Sequence, residues 1–225
     1  MGPWERCLAA LAFLTTLPVP GRAGPAEALG CFPFAGGVLG GLLWALAAVL
    51  FSLFSPEVAA VFVLFAWLFL TGMLHFDGLL DLADAGLLPA ERERRLLVLK
   101  DARVGAFALG VGVLHLLLKW RLLTELGPGP WLLFAPLWAR ALVVPAARAL
   151  PPLGEGLGRS VARGRVEGAA LLGALGLVYP KAALFALAAA GLVYLFATRR
   201  LGGVNGDVHG AAIELAEAAY LLALD

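Results

Sequence analysis

The feature that most constrains this chain is a group of carboxylates placed directly after a long apolar run. Residues 58–74 contain no charged side chain, and His75, Asp77, Asp81 and Asp84 follow at once. Charged groups are costly beside the hydrocarbon of a membrane, and they usually mark an ion, proton or substrate site. We therefore expect the apolar run to end at a functional site.

The spacing of the three aspartates indicates a metal site. Asp77, Asp81 and Asp84 follow an i, i+4, i+7 pattern, which places them on one face of a helix. Stacked like charges repel, so a cation should lie among them, and ligands with only oxygen atoms suit magnesium better than zinc. The alternative is a solvated helix start whose acids favour the helix dipole. Because the intervening residues are glycine, leucine and alanine, we prefer the Mg²⁺ site, with Asp81 also a catalytic candidate.

Composition assigns the chain to the membrane proteins. Hydrophobic residues make up 61% of the 225 residues and charged residues 15%, whereas soluble domains are about 45–50% apolar and about 25% charged. The mean hydropathy is +0.90. We predict an all-α, polytopic membrane protein whose residues 1–225 form a single integral membrane domain. A net charge of +1 gives no reason to expect a nucleic acid partner.

The apolar segments predict about seven transmembrane helices in one bundle. A span needs about 20 apolar residues. Residues 168–198 are too long for one simple span and are interrupted at Tyr179-Pro180-Lys181, so we divide them into a short span and a longer one. An N-terminal interfacial helix precedes the bundle. The remaining spans are predicted at 30–54, 58–74, 104–123, 131–150 and 208–224.

The basic residues predict the orientation in the membrane. With seven crossings, four basic groups fall on one side, and the positive-inside rule makes that side cytoplasmic. Lys119, Arg121 and Lys181 fall on the opposite side, where we expect long cationic side chains to snorkel to the interface. The acidic cluster then faces the cytoplasm from the inner membrane. The four groups are Arg6 and Arg22; Arg92, Arg94, Arg95, Lys100 and Arg103; Arg159, Arg163 and Arg165; and Arg199 and Arg200.

Further polar residues on the predicted cytoplasmic side are candidates for the same site. Arg103 follows Asp101 closely and is suited to bind phosphate, although a membrane-border anchor is an equal alternative. His75 would act as a general base or donate to a phosphate oxygen, or it has a structural role. Asn205 and Asp207 lie in a glycine-bracketed turn whose backbone amides can hold an anion; a plain turn is the alternative.

Three further residues receive simpler interpretations. Glu214, near the last span, is a weaker candidate for the substrate cavity. Cys7 and Cys31 match neither a disulfide framework nor a metal pattern, so we expect small buried side chains.

Together, these residues resemble the cobalamin synthase family, the adenosylcobinamide-GDP ribazoletransferases. The resemblance covers nearly the whole chain in the same order. The matching segments are Leu17-Pro18-Val19-Pro20, Phe32-Pro33-Phe34-Ala35-Gly36, His75-Phe76-Asp77-Gly78-Leu79-Leu80-Asp81, Lys100-Asp101-Ala102-Arg103-Val104-Gly105, Gly154-Glu155-Gly156-Leu157-Gly158, Gly202-Gly203-Val204-Asn205-Gly206-Asp207 and Gly210-Ala211-Ala212-Ile213-Glu214-Leu215.

The resemblance implies the last assembly step of adenosylcobalamin synthesis. In that step adenosylcobinamide-GDP reacts with α-ribazole, or its 5′-phosphate, and GMP leaves, with Mg²⁺ as the expected cofactor. Asp101 would complete the metal shell or orient the attacking hydroxyl, and Arg103 would neutralise the leaving GMP. A homo-oligomer, or a complex with other enzymes of cobalamin synthesis, is compatible with the sequence.

Two other functions remain open at this point. A CDP-alcohol phosphotransferase of lipid synthesis also places aspartates around magnesium, but its D-G-x-x-A-R pattern is absent after Asp77-Gly78. A cation transporter would use Asp77, Asp81 and Asp84 as an ion path. That function requires carboxylates near the middle of the membrane, whereas the sequence places them at its border.

Overall fold

The computed structural model describes residues 2–20, 24–154, 166 and 168–225. Every regular element among these residues is helical, and the only β-type pairing there is an isolated bridge between Pro152 and Val204. Two 3₁₀ turns, Leu29–Cys31 and Leu175–Val178, adjoin the helices. The α-helices are α1 (Pro3–Leu14), α2 (Pro25–Ala28), α3 (Phe32–Leu53), α4 (Pro56–Leu70), α5 (Leu74–Leu87), α6 (Arg92–Val98), α7 (Ala106–Leu126), α8 (Trp131–Ala149), α9 (Ala169–Ala174), α10 (Pro180–Leu201) and α11 (Gly206–Leu222).

The all-α class is confirmed, but a count of about seven spans is not. Four described helices are long and apolar enough to cross a membrane, namely the Ala26–Leu53 segment ending in α3, together with α7, α8 and α10; counting α4 and α5 as one bent span gives five. The predicted break at Tyr179-Pro180 is present, but the helix before it is short. α4, α5 and α11 have 15, 14 and 17 residues, so each by itself is shorter than the roughly 20 residues that a span needs.

A sharp turn separates the apolar run from the acidic cluster. Gly72 and Met73 both have positive φ, at 58° and 57°, and α5 is bent by 87° from α4. The Thr16 backbone N–H donates to the Leu70 carbonyl at 2.8 Å, which ties the segment after α1 to this corner. The acidic helix therefore does not continue the direction of the preceding span.

Glycines in α3 allow a close approach to α8. A Cβ on Gly36 would lie 2.4 Å from the Pro136 carbonyl oxygen, and one on Gly40 would lie 2.4 Å from that of Leu132. Small residues at helix contacts in membranes allow backbones to approach in this way. The glycine-rich stretch thus serves helix packing.

The structure corrects the prediction for the two cysteines. Cys7 of α1 and Cys31, just before α3, are joined in a disulfide. The two elements also stack Phe13 on Phe32, with ring centroids 6.0 Å apart. Spacing alone gave no sign of the pairing, because it arises from the packing of α1 on the start of α3.

Arginines collect at one end of the bundle and bind exposed helix carbonyls. Arg92 Nε donates to the Leu201 carbonyl at 2.6 Å, and Arg200 Nε donates to the Gly86 carbonyl at 2.9 Å. The last carbonyls of a helix lack partners within it and attract cations. The C-terminal ends of α5 and α10 are therefore held together by basic side chains. Four predicted basic residues lie outside the described residues: Arg22, Arg159, Arg163 and Arg165.

A pair of glycine substitutions tests the contact between α3 and α8. We expect Gly40→Ala to lower the free energy of unfolding by about 1–3 kcal/mol, because the added methyl group collides with backbone. Gly41→Ala is the matched control, since its Cβ would lie 3.6 Å from Leu133 Cδ1, which is an ordinary van der Waals contact. Unfolding of the detergent-solubilised protein measures both, and equal stability of the two variants would contradict the packing.

Candidate active site

The predicted acidic residues line one cavity at the arginine-rich end of the bundle. This acidic cavity has a volume of about 440 Å³ and lies between α5, the start of α11 and the segment from Leu99 to Ala108. The predicted one-face arrangement of the α5 aspartates is therefore present. The ionisable residues of the lining are Asp77, Asp81, Asp84, Lys100, Asp101, Arg103 and Asp207.

Two glycines bring α5 and α11 together beside this cavity. A Cβ on Gly78 would lie 2.6 Å from the Asp207 carbonyl oxygen, and one on Gly210 would lie 3.1 Å from the His75 Cα. Each contact is tighter than a side chain normally permits. The glycine in the α5 motif thus has a physical role, which is to let Asp207 approach the α5 aspartates.

Asp84 also caps the next long helix. Its Oδ2 accepts a hydrogen bond from the Gly105 N–H at 2.5 Å, and its Oδ1 accepts one from the Ala108 N–H at 2.9 Å. The first N–H groups of α7 have no partners within the helix, so a carboxylate satisfies them. Asp84 consequently fixes the start of α7 against the cavity, and each of its oxygens retains a further lone pair.

Asp101 and Arg103 form a two-pronged pair at the cavity rim. Arg103 Nε donates to Asp101 Oδ1 at 3.0 Å and Arg103 Nη2 donates to Oδ2 at 2.6 Å, while the Arg103 side chain is 89% exposed. Hydrogen bonds from the Arg103 side chain and backbone lower the pKa of Asp101 to about 2. The same pairing raises the pKa of Arg103. Asp101 is therefore ionised at neutral pH, and the guanidinium of Arg103 places a positive charge at the cavity mouth.

Asn205 sets the position of Asp207. Its Oδ1 accepts from the Val208 N–H at 3.1 Å and caps α11, while its Nδ2 donates to Asp207 Oδ2 at 2.7 Å. The preceding turn is anchored by the Leu153 N–H, which donates to the Val204 carbonyl at 2.7 Å. The predicted turn thus aims a carboxylate at α5. Of the predicted motif at 154–158, all but Gly154 lies outside the described residues.

The carboxylates of the acidic cavity are suitable ligands for magnesium, but they do not form a complete coordination shell by themselves. In the part of the chain that the structure describes, no three His, Cys, Asp or Glu side chains are arranged to hold a metal ion by themselves. Mg²⁺ usually keeps several waters and is held by one or two carboxylates together with substrate phosphates. Oxygen-only carboxylates around a cavity open to a phosphate ligand match that mode of binding.

Two predicted site residues lie away from the acidic cavity. His75 is 2% exposed, and its Nδ1 lies 3.2 Å from Arg140 Nη2. Glu214 is 1% exposed; its Oε2 accepts from Lys119 Nζ at 2.9 Å and lies 2.8 Å from His115 Nε2. Neither residue lines the cavity that contains the aspartates, so the structure does not bring them together with the other candidates.

These residues belong to a buried ionic chain that the sequence analysis missed. Arg140 pairs with Glu217 Oε1, and Glu217 Oε2 accepts from Lys119 Nζ at 2.8 Å. Lys119 also lies 4.1 Å from the centroid of the Trp67 ring. The prediction that Lys119 snorkels to the interface is wrong, because its side chain is fully buried. The sequence did contain a signal for this ionic chain: two acidic and two basic side chains lie within apolar helices, and charges in such places are normally paired.

The comparisons with known proteins agree on one family. The family described as "Cobalamin-5-phosphate synthase" matches residues 6–224. No solved structure matches the chain. Several curated proteins named adenosylcobinamide-GDP ribazoletransferase are similar over almost the whole chain.

Three of these relatives indicate the range of similarity. The protein of Deinococcus radiodurans is 45% identical over 221 residues, which cover 92% of this chain and 81% of the relative. That of Brevibacillus brevis is 35% identical over 237 residues, and that of Pseudomonas aeruginosa strain PAO1 is 39% identical over 246 residues. In both of these pairs, 96% of each chain is covered.

The buried ionic chain predicts unequal effects for two glutamate substitutions. Glu217→Gln leaves Lys119 and Arg140 without a full counter-charge, so we expect a loss of about 3–5 kcal/mol in the free energy of unfolding. Glu125→Gln removes an exposed pair with Arg121 and should cost less than about 1 kcal/mol. Equilibrium unfolding in detergent compares the two, and similar losses would contradict the assigned role.

Proposed function

This chain belongs to the cobalamin-5-phosphate synthase family, and from that premise we propose the following reaction. The protein transfers the adenosylcobinamide-phosphate group from adenosylcobinamide-GDP to α-ribazole, or to α-ribazole 5′-phosphate, and releases GMP. The relatives' names support adenosylcobinamide-GDP as the donor, and the ribazole acceptor is part of the proposal. The observation that supports this chemistry is a cavity with five carboxylates and an exposed arginine at its rim.

The carboxylates of α5 are the proposed holders of Mg²⁺. Asp77 and Asp81 line the cavity, and Asp84, which also holds the start of α7, contributes a remaining lone pair. When bound, a Mg²⁺ ion held by these carboxylates would supply positive charge that offsets the negative charge of the diphosphate. The mutual repulsion of the clustered aspartates favours such a cation.

The attacking group is a hydroxyl of the acceptor ribose. Its oxygen forms a bond to the phosphorus attached to the cobinamide arm, and the bond from that phosphorus to the GMP oxygen breaks. Asp207, held by Asn205 at 2.7 Å, accepts the hydrogen bond of the hydroxyl and takes its proton. Oriented groups of this kind lower the barrier by positioning the reactants.

Arg103 is the proposed partner of the leaving group. Its guanidinium is exposed at the rim and already paired with Asp101. Arginine binds phosphate with two parallel hydrogen bonds, so exchange of Asp101 for a GMP phosphate oxygen would neutralise the departing charge. Asp101 would then be free to complete the metal shell or to orient the hydroxyl.

We further propose that the acidic cavity faces the cytoplasm from the inner membrane. Arg92, Arg95 and Arg200 bind helix carbonyls at this end of the bundle, and the positive-inside rule favours the cytoplasmic side for such a basic end. Soluble nucleotides would reach the cavity from that side. The family match gives no support to a lipid phosphotransferase or to a cation transporter.

A turnover assay tests the reaction and the metal site together. Detergent-purified protein given adenosylcobinamide-GDP, α-ribazole and Mg²⁺ should release GMP, and removal of the metal with EDTA should stop the release. We expect Asp81→Asn to reduce turnover at least about 100-fold, because it removes a carboxylate that holds the metal. The protein should nevertheless remain folded, as judged by its thermal unfolding.

The control is Asp225→Asn, which makes the same chemical change at an exposed terminal residue and should leave turnover unchanged. Near-normal activity of Asp81→Asn would reject the metal assignment alone. Failure of the wild-type protein to form GMP from the corrinoid would reject the proposed reaction.

A further inference from the structure

A second, smaller cavity lies directly beside the acidic one. This inner cavity has a volume of about 180 Å³, and Asp207 lines both cavities. Its polar lining comprises His75, His209 and Asp207. The larger apolar side chains of its wall come from α1, α3, α5, α8 and α11: Phe13, Leu14, Phe32, Leu74, Val143 and Ile213.

The tautomer of His75 follows from its neighbour. A guanidinium has only donors, so Arg140 Nη2, at 3.2 Å, must donate to His75 Nδ1. The neutral ring then carries its proton on Nε2. This atom is buried and has no hydrogen-bond partner within the described residues, although a buried donor left unpaired is costly. The wall of the inner cavity therefore includes a histidine with an unused N–H donor.

We propose that the inner cavity binds the heteroaromatic base of the acceptor nucleoside, with His75 Nε2–H donating to the free ring nitrogen of that base. The proposal rests on the proposed function, because α-ribazole, the acceptor in that reaction, is a riboside whose base is a benzimidazole. His75 is thus a residue that recognises the acceptor. It is not a general base for the transfer.

The dimensions and lining of the cavity favour a base over other parts of the substrates. Pockets for whole drug-sized ligands occupy roughly 300–1,000 Å³, so about 180 Å³ suits one fused ring system. Phe13 and Phe32, whose rings stack 6.0 Å apart, supply aromatic surface for a flat ligand. A diphosphate or a guanosine phosphate would leave its charges unpaired against these apolar walls.

Asp207, which lines both cavities, would link a base bound in the inner cavity to the reacting hydroxyl. Asp207 lies at the junction of the two cavities, so a base held in the inner cavity would place its attached ribose beside this carboxylate. The acidic cavity, at about 440 Å³, then accommodates the phosphates. Base recognition and hydroxyl activation would be coupled through one aspartate.

Filling the inner cavity provides the first test. Val143 of α8 is 2% exposed and lines this cavity, whereas its neighbour Val144 is 5% exposed and lines a separate groove beside α9. We expect Val143→Phe to raise the KM for α-ribazole at least tenfold and to leave the KM for adenosylcobinamide-GDP unchanged. Val144→Phe is the control with the same added volume and should change neither constant.

An acceptor analogue provides the second test. Its free ring nitrogen is replaced by C–H, as in the matching indole riboside. The wild-type protein should bind this analogue about tenfold more weakly than α-ribazole, since one buried donor loses its acceptor. His75→Phe should bind both ligands with equal affinity. His75→Gln, which retains an acceptor for Arg140 and an N–H donor, should partly restore the discrimination.

The outcomes separate this inference from the proposed reaction. If GMP is released by the wild-type protein but Val143→Phe leaves the acceptor KM unchanged, or His75→Phe still discriminates between the ligands, the base site is rejected and the reaction stands. If the wild-type protein binds α-ribazole and its analogue equally, the hydrogen bond from His75 is rejected. If neither GMP release nor α-ribazole binding occurs, both proposals fail.

Discussion

The rest of the structure depends on a chain of buried ion pairs inside an apolar bundle. Arg140, Glu217, Lys119 and Glu214 contribute two positive and two negative side chains, all almost completely enclosed. Isolated charges in such surroundings are unstable, whereas paired charges with hydrogen bonds are tolerated. Because these four residues lie on α7, α8 and α11, the chain fixes which helices face one another.

The ionic chain reaches the candidate site through His75. Arg140 binds this histidine at the first turn of α5, and Gly78 and Gly210 let α5 lie against the start of α11. The α5 aspartates then face Asp207 across one cavity. The charges that hold the bundle together are thus separate from those that line the site, and His75 stands between the two groups.

Sequence reasoning succeeded where the information was local. The i, i+4, i+7 spacing of Asp77, Asp81 and Asp84 needs only helical geometry, and the helix break at Pro180 needs only the chemistry of proline. These features are present in the structure.

Sequence reasoning failed where the answer depended on a distant partner. Lys119 was predicted to snorkel to the interface because its carboxylate partners lie about 95 residues away in the sequence, on α11. The disulfide between Cys7 and Cys31 depends on the packing of α1. The count of about seven spans is not confirmed: four or five described helices qualify by length and composition, and α11 has only 17 residues. The sequence left His75 between a catalytic and a structural role, because its contact with Arg140 of α8 depends on a helix that is distant in the chain.

We propose that the aspartates of α5 collect a divalent cation that holds the diphosphate of the donor. An experimental structure with Mn²⁺ in place of Mg²⁺, and with a guanosine nucleotide bound, tests it most directly. We expect an anomalous peak in the acidic cavity, at roughly 2.1 Å from oxygens of Asp77 or Asp81 and of a phosphate. A nucleotide bound elsewhere, or a phosphate in this cavity with no metal beside the aspartates, would contradict it.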